Sequence, residues 1–155
     1  DLAIGAPGET IGTTAGAGSV SIMYGSATGF AVFARGNPAN WLTEQSFGAT
    51  PVANDGFGSS LSAWNFGRNY VVPLQGPVRM ADLAVGIPFK DVNGISNAGA
   101  VRVIYGFTTG LATSASYSEG PLTAAPPGPS QLWHQDVAGV PDQCEADDRF
   151  GRALY

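Results

Sequence analysis

The side chains best equipped for chemistry sit near the end of this chain. His134 is its only histidine and Cys144 its only cysteine. His134 follows Trp133 and precedes Asp136 by two residues, an order that would suit a general base with an orienting carboxylate. A nucleophilic thiol at Cys144 would need an electropositive setting. Gln143 and Glu145 flank it instead, and Asp147 and Asp148 follow. The sequence therefore reads Cys144 as a small, semi-buried loop residue. A single cysteine excludes a disulfide within the chain and any metal cluster built on several thiolates.

Oxygen donors gather at two further places. Glu145, Asp147 and Asp148 could bind a cation, but they read better as a solvated loop. Asp91-Val92-Asn93-Gly94 has the start of a calcium-loop pattern without the later acidic ligand, so a turn is expected there. Asn54-Asp55-Gly56 is a second turn signal. The chain contains no G-x-S-x-G elbow, P-loop, G-x-G-x-x-G or H-E-x-x-H. The residues thus point away from an enzyme.

Charge narrows the partners. Seven basic residues face twelve acidic ones, a net charge of −5, and the arginines are scattered without a run. No basic patch is available for a phosphate backbone, which excludes nucleic acid. No stretch approaches the roughly 18 apolar residues of a membrane span.

The elements that must position these residues are short. Glycine (22) and proline (11) make up about 21% of 155 residues, against a usual 12% or so. Such punctuation argues against long helices and for an all-β, turn-rich fold. Val20, Ile22 and Tyr24 alternate with other residues, as do Val101, Val103 and Tyr105, the period of a strand. Asp1–Gly5 and Asp82–Gly86 read as further short strands, each stopped by a proline two residues later.

These segments are copies. Residues 1–30 and 82–111 are identical at twelve of thirty aligned positions, including Asp1/Asp82, Gly5/Gly86, Pro7/Pro88, Gly18/Gly99 and Tyr24/Tyr105. About two matches would arise by chance. Trp41 then matches Trp133, and Phe57-Gly58 matches Phe150-Gly151, after an insertion within the proline-rich stretch 119–130. In this alignment His134 falls where the first copy has Leu42, which marks it as a variable structural position and not a catalytic one. Four strands per unit with a recurring Gly/aromatic motif is the pattern of a β-propeller blade. The three tryptophans, Trp41, Trp64 and Trp133, are expected to pack between blades.

Phe57-Gly58 followed by Asp82-Leu83-Ala84-Val85-Gly86-Ile87-Pro88 resembles the FG-GAP repeat of integrin α-subunit propellers. The tract Leu132–Leu154 is especially similar to the secreted bacterial integrin-like proteins. The resemblance implies strands two to four of a first blade with its connecting loop over 1–56. It implies a complete second blade over 57–135, with its loop to 148, and the first strand of a third over 149–155. Closed propellers need about four to eight blades, so two blades' worth, cut out of phase, implies part of a larger propeller or assembly. The opening on Asp1, inside a motif, fits a processed start or a piece of something longer.

Blades of this family often bind calcium in the loop before the Asp-Leu-Ala strand. Asn65, Asn69 and Asp82 occupy ligand positions there, with two carboxylates replaced by amides and the loop interrupted by about ten residues. The resemblance thus implies at most a degenerate calcium site. It further implies a non-enzymatic, secreted or cell-surface role in protein or surface recognition and adhesion. The inserts at 69–81 and 119–130 are where partner contacts are expected. The partner would be a protein or cell-surface ligand, or further blades of the same protein. The alternatives are an accessory propeller of a larger secreted hydrolase and a structural surface or filament subunit completed by neighbouring chains.

Overall fold

A computed structural model describes residues 1–31, 40–67, 70–72, 76–78, 80–107, 110–113 and 130–155. The fold is all-β: among the described residues there are antiparallel sheets, none closed, and no α-helix. The first sheet has β1 (Leu2–Ala6) against β2 (Ser19–Ser26). Successive parts of β2 pair with β4 (Trp41–Leu42) and β3 (Gly29–Ala31). In the second sheet β5 (Ser60–Trp64), β8 (Asp82–Ile87), β9 (Ala100–Ile104) and β12 (Ser130–Trp133) lie side by side in chain order. Two small hairpins interrupt that meander. β6 (Tyr70–Val72) pairs with β7 (Gly76–Val78), and β10 (Gly106–Phe107) with β11 (Gly110–Leu111).

The sequence repeat is also a repeat of conformation. Each β1–β2-type hairpin closes through a loop with one internal bridge, Ile11↔Thr14 in the first copy and Val92↔Ile95 in the second. Left-handed backbone recurs at matched positions, Gly12 and Asn93, Gly16 and Asn97, Gly18 and Gly99. Asparagine tolerates that conformation better than other side chains, which explains how the second copy dispenses with two of the glycines. The tract Asp91–Gly94 is a turn, as its residue types predict.

The segment after each unit docks in the same way. Phe57 N–H donates to the Ala17 carbonyl at 3.0 Å, and Phe150 N–H to the Ala98 carbonyl at 2.9 Å. A Cβ on Gly5 would overlap the Gly58 carbonyl oxygen, and one on Gly86 the Gly151 oxygen. Only glycine permits such close backbone approach.

The core lies between the two sheets. Val20, Ile22 and Leu42 of the first meet Leu83, Val85, Ile87 and Ile104 of the second, with Phe57 wholly buried among them. Each such side chain contributes about 1.5–3 kcal/mol on burial. Every residue of β8 is buried, the mark of a strand covered on both faces.

Charges cross the same junction. A 3₁₀ turn, Glu44–Phe47, buries Glu44. Arg102 Nε donates to Glu44 Oε1 at 3.1 Å, and its guanidinium lies 4.9 Å from the centre of the Phe47 ring. Lys90 Nζ stands 3.2 Å from Glu44 Oε2 and donates to Asp55 Oδ2 at 3.1 Å. The contact with Oε2 is ionic and lacks hydrogen-bond geometry. Glu44 and Asp55 precede the second sheet in sequence, while Arg102 lies in its strand β9 and Lys90 in the turn that follows β8, so this network ties the units together.

Two tryptophans depart from expectation. Trp64 is 72% exposed and Trp41 51%. They do not pack between the sheets, where branched aliphatic residues and Phe57 already fill the space. Trp133 is partly buried and lines an open apolar face of the second sheet.

Candidate functional site

Two constellations follow from this architecture. The first is the loop that the sequence singles out for calcium. Asp82 opens β8 and is 1% exposed. Its Oδ1 accepts the Gly106 N–H at 2.9 Å and its Oδ2 the Phe66 N–H at 2.7 Å. The carboxylate thus joins the segment just after β5, the start of β8 and the start of β10. Asn65 Nδ2 donates to the Met80 carbonyl at 3.2 Å, while its Oδ1 accepts the Gly67 N–H at 3.2 Å. Asn69 lies outside the described residues. Asp1, the counterpart of Asp82, accepts the Gly25 N–H at 2.8 Å, just as Asp82 accepts that of Gly106. Both copies therefore use this aspartate to fasten one strand to the next.

The strand ends that flank the two inserts expected to carry contacts lie at one end of the second sheet. β5 stops at Trp64 and β8 starts at Asp82, its cross-strand partner, so residues 69–81 emerge there. Ser130 pairs with Ile104, and Ile104 with Leu83. Ile104 and Ser130, the strand ends that the connection between β9 and β12 joins, thus lie at that same end, while residues 119–129 are outside the described residues. Of the first insert, β6 and β7 form an antiparallel hairpin. The turn Val92–Ile95 lies at the opposite end.

The second constellation is one the sequence reading set aside. β12 ends at Trp133, and turns held by Val137 N–H to His134 O (3.0 Å) and Val140 N–H to Val137 O (2.9 Å) carry the chain away. Cys144 then packs, 6% exposed, against Val92, Ile95 and Ala98 of the turn-bearing loop. Its Sγ lies 3.9 Å from His134 Nδ1. Asp136 Oδ1 accepts the Cys144 N–H at 3.0 Å, and its Oδ2 accepts from Asn93 Nδ2 at 2.8 Å. The Cys144 N–H first, and then the Asn93 amide, hold the Asp136 carboxyl below its ordinary range. His134, Asp136 and Cys144 thus place a nitrogen, an oxygen and a sulfur donor within 4.8 Å of one another. The pattern His-x-Asp-x7-Cys was visible in the sequence. Its meaning depended on an irregular turn whose path no periodicity fixes.

The acidic residues nearby have other partners. Asp147 Oδ1 accepts from Asn97 Nδ2 at 3.0 Å and stands 3.7 Å from an Arg149 nitrogen. Asp148 Oδ2 accepts the Glu145 N–H at 2.8 Å. These contacts shape the loop that docks Phe150.

No protein-family model matches the chain, and no curated protein matches it.

Proposed function

We propose that the chain is two repeat units of an FG-GAP-type β-propeller, extracellular and non-enzymatic, that recognises a protein or surface ligand through loops at one rim. The observation that carries this reading is the repeated joint. Phe57-Gly58 and Phe150-Gly151 dock on successive units through matching hydrogen bonds and the same glycine-to-carbonyl approach. A joint that recurs with each unit is how stacked repeats propagate. The second sheet supports it further, for its outer face is an open apolar groove lined by Val101, Val103, Trp133, Phe150 and Leu154. Val101 and Val103 correspond to Val20 and Ile22, which in the first unit meet the next sheet. A third unit would cover this groove as the second covers the first.

Recognition is placed at the rim where residues 69–81 emerge, because loops are free to vary while the sheets are committed to packing. The test is adhesion of the full chain to immobilised extracellular-matrix proteins and to cells. A variant with the hairpin residues 70–78 replaced by a two-residue turn, which keeps the Met80 carbonyl that accepts from Asn65, should lose binding while keeping its melting temperature. Equal adhesion by the variant, or none by the parent chain, overturns the rim assignment.

The open apolar groove also favours a second reading, a structural subunit whose neighbours cover each other's faces. Light scattering separates the two, since that reading requires an oligomer and a monomer at micromolar concentration sinks it.

A further inference from the structure

We infer that His134, Asp136 and Cys144 form a mononuclear site for a borderline divalent cation of the zinc type, with water as the fourth ligand. Three donors of three kinds converge, an imidazole nitrogen, a carboxylate oxygen and a thiol sulfur, all within 4.8 Å. Around a tetrahedral zinc ion with bonds of about 2.0–2.3 Å, neighbouring ligand atoms lie about 3.3–3.8 Å apart. The Sγ–Nδ1 separation of 3.9 Å is already close to that edge. The widest separation must contract by about 1–1.5 Å to fit, and the adjustment falls to the exposed Asp136, which moves together with its two donors, the Cys144 N–H and the Asn93 amide.

Ligand chemistry selects the metal class. One sulfur and one nitrogen suit zinc or cobalt and disfavour calcium, which takes six to eight oxygens. Cys144 is the buried anchor, fixed on Val92, Ile95 and Ala98. The outer contacts are those of a built site. The Cys144 N–H and the Asn93 amide orient the Asp136 carboxylate, and each oxygen keeps a second lone pair for a metal. Such orienting partners are typical of metal centres. An ion here would tie the start of the excursion after β12, at His134 and Asp136, to Cys144 at its far end, which is seated on Val92, Ile95 and Ala98.

The test uses the full chain, reduced and freed of metal, titrated with Co²⁺. The expected result is a thiolate-to-cobalt charge-transfer band that saturates at one equivalent and is displaced by Zn²⁺. Cys144→Ser abolishes that band, His134→Ala and Asp136→Ala weaken binding, and Asn93→Ala weakens it about tenfold. A measurement on the unaltered chain guards against variants that fail to fold. Stoichiometric Zn²⁺ should slow alkylation of Cys144 at least tenfold. No charge-transfer band at one equivalent, a band that survives Cys144→Ser, or alkylation unaffected by Zn²⁺ each overturns the assignment. The first or last of these leaves a simple thiol–imidazole contact.

Discussion

Asp82 shows how much one carboxylate can hold. Its two oxygens accept N–H groups from segments that flank it on either side. Asp82→Ala would orphan the Gly106 N–H, which is buried, whereas the Phe66 N–H is near solvent and can turn to water. The expected cost is about 2–3 kcal/mol, read as a fall in the denaturation midpoint with no change in slope. Because Asp82 is the one carboxylate among the three ligand positions, with Asn65 and Asn69 as neutral amides, and calcium takes six to eight oxygens, added calcium should leave the melting temperature of the parent chain unchanged. A rise of several degrees in calorimetry would reveal a working site. Lys90 makes the complementary point. Burial favours its neutral amine, but the carboxylates of Glu44 and Asp55 outweigh this and hold the ammonium above its ordinary value of 10.5. A folded-state value above the unfolded one means that stabilisation is full below about pH 10.5 and is lost as pH rises through the folded value. Burial pushes the Asp55 carboxyl up, against the pull of Lys90. The folded chain therefore holds that proton more tightly, and this group too loses stability as pH rises through its window. Lys90→Met should cost about 2–3 kcal/mol at neutral pH and flatten the alkaline limb of a stability–pH curve. The figure lies below that of a fully isolated buried charge because Glu44 retains Arg102.

At the scale of elements, the joints between units are where sequence constrains structure most tightly. Gly86→Ala should destabilise by about 1–3 kcal/mol or more, because backbone of Gly151 occupies the space a Cβ needs. Gly8→Ala, where nothing lies within 4 Å, should stay within about 0.5 kcal/mol. Thermal melts of the two variants side by side check both. The elements themselves were legible because their signals are local: alternation in Val101–Tyr105, glycines at left-handed positions, and a proline after each Asp-Leu-Ala strand. Asn93 and Asn97 standing in for Gly12 and Gly16 shows that the repeat conserves backbone conformation even where residue types differ. The tryptophans misled because size and apolarity say that a residue can be buried, not that space remains for it. Trp64 ends β5, beyond the layer filled by Phe57 and its aliphatic neighbours. The His134–Cys144 approach was illegible for a different reason. Comparison with Leu42 set the histidine aside as variable, and a ten-residue excursion through turns carries no register from which a distance follows.

The whole molecule is two similar sheets sharing one core, with charged residues sealed into their junction. Its outer groove is a face without a counterpart among the described residues, and its chemistry matches the face buried at the junction. Val103→Glu places a charge on that outer face. Val103 is half-buried against Tyr105, Phe107 and Ala112, so the variant should cost the isolated chain about 1–2 kcal/mol and leave it folded, while abolishing any concentration-dependent association seen by sedimentation. Association that persists in the variant would place the contact elsewhere.

The sealed junction has a practical consequence. Lys90 is the only lysine in the sequence, and its side chain is 16% exposed and paired with two carboxylates. A lysine-specific protease therefore has one possible cleavage point, which it reaches only when the two sheets part. Cutting at that bond becomes a clock for opening of the junction, read as the conversion of one band into two. Amine-directed labels applied near neutral pH should meanwhile pass Lys90 by until the junction opens.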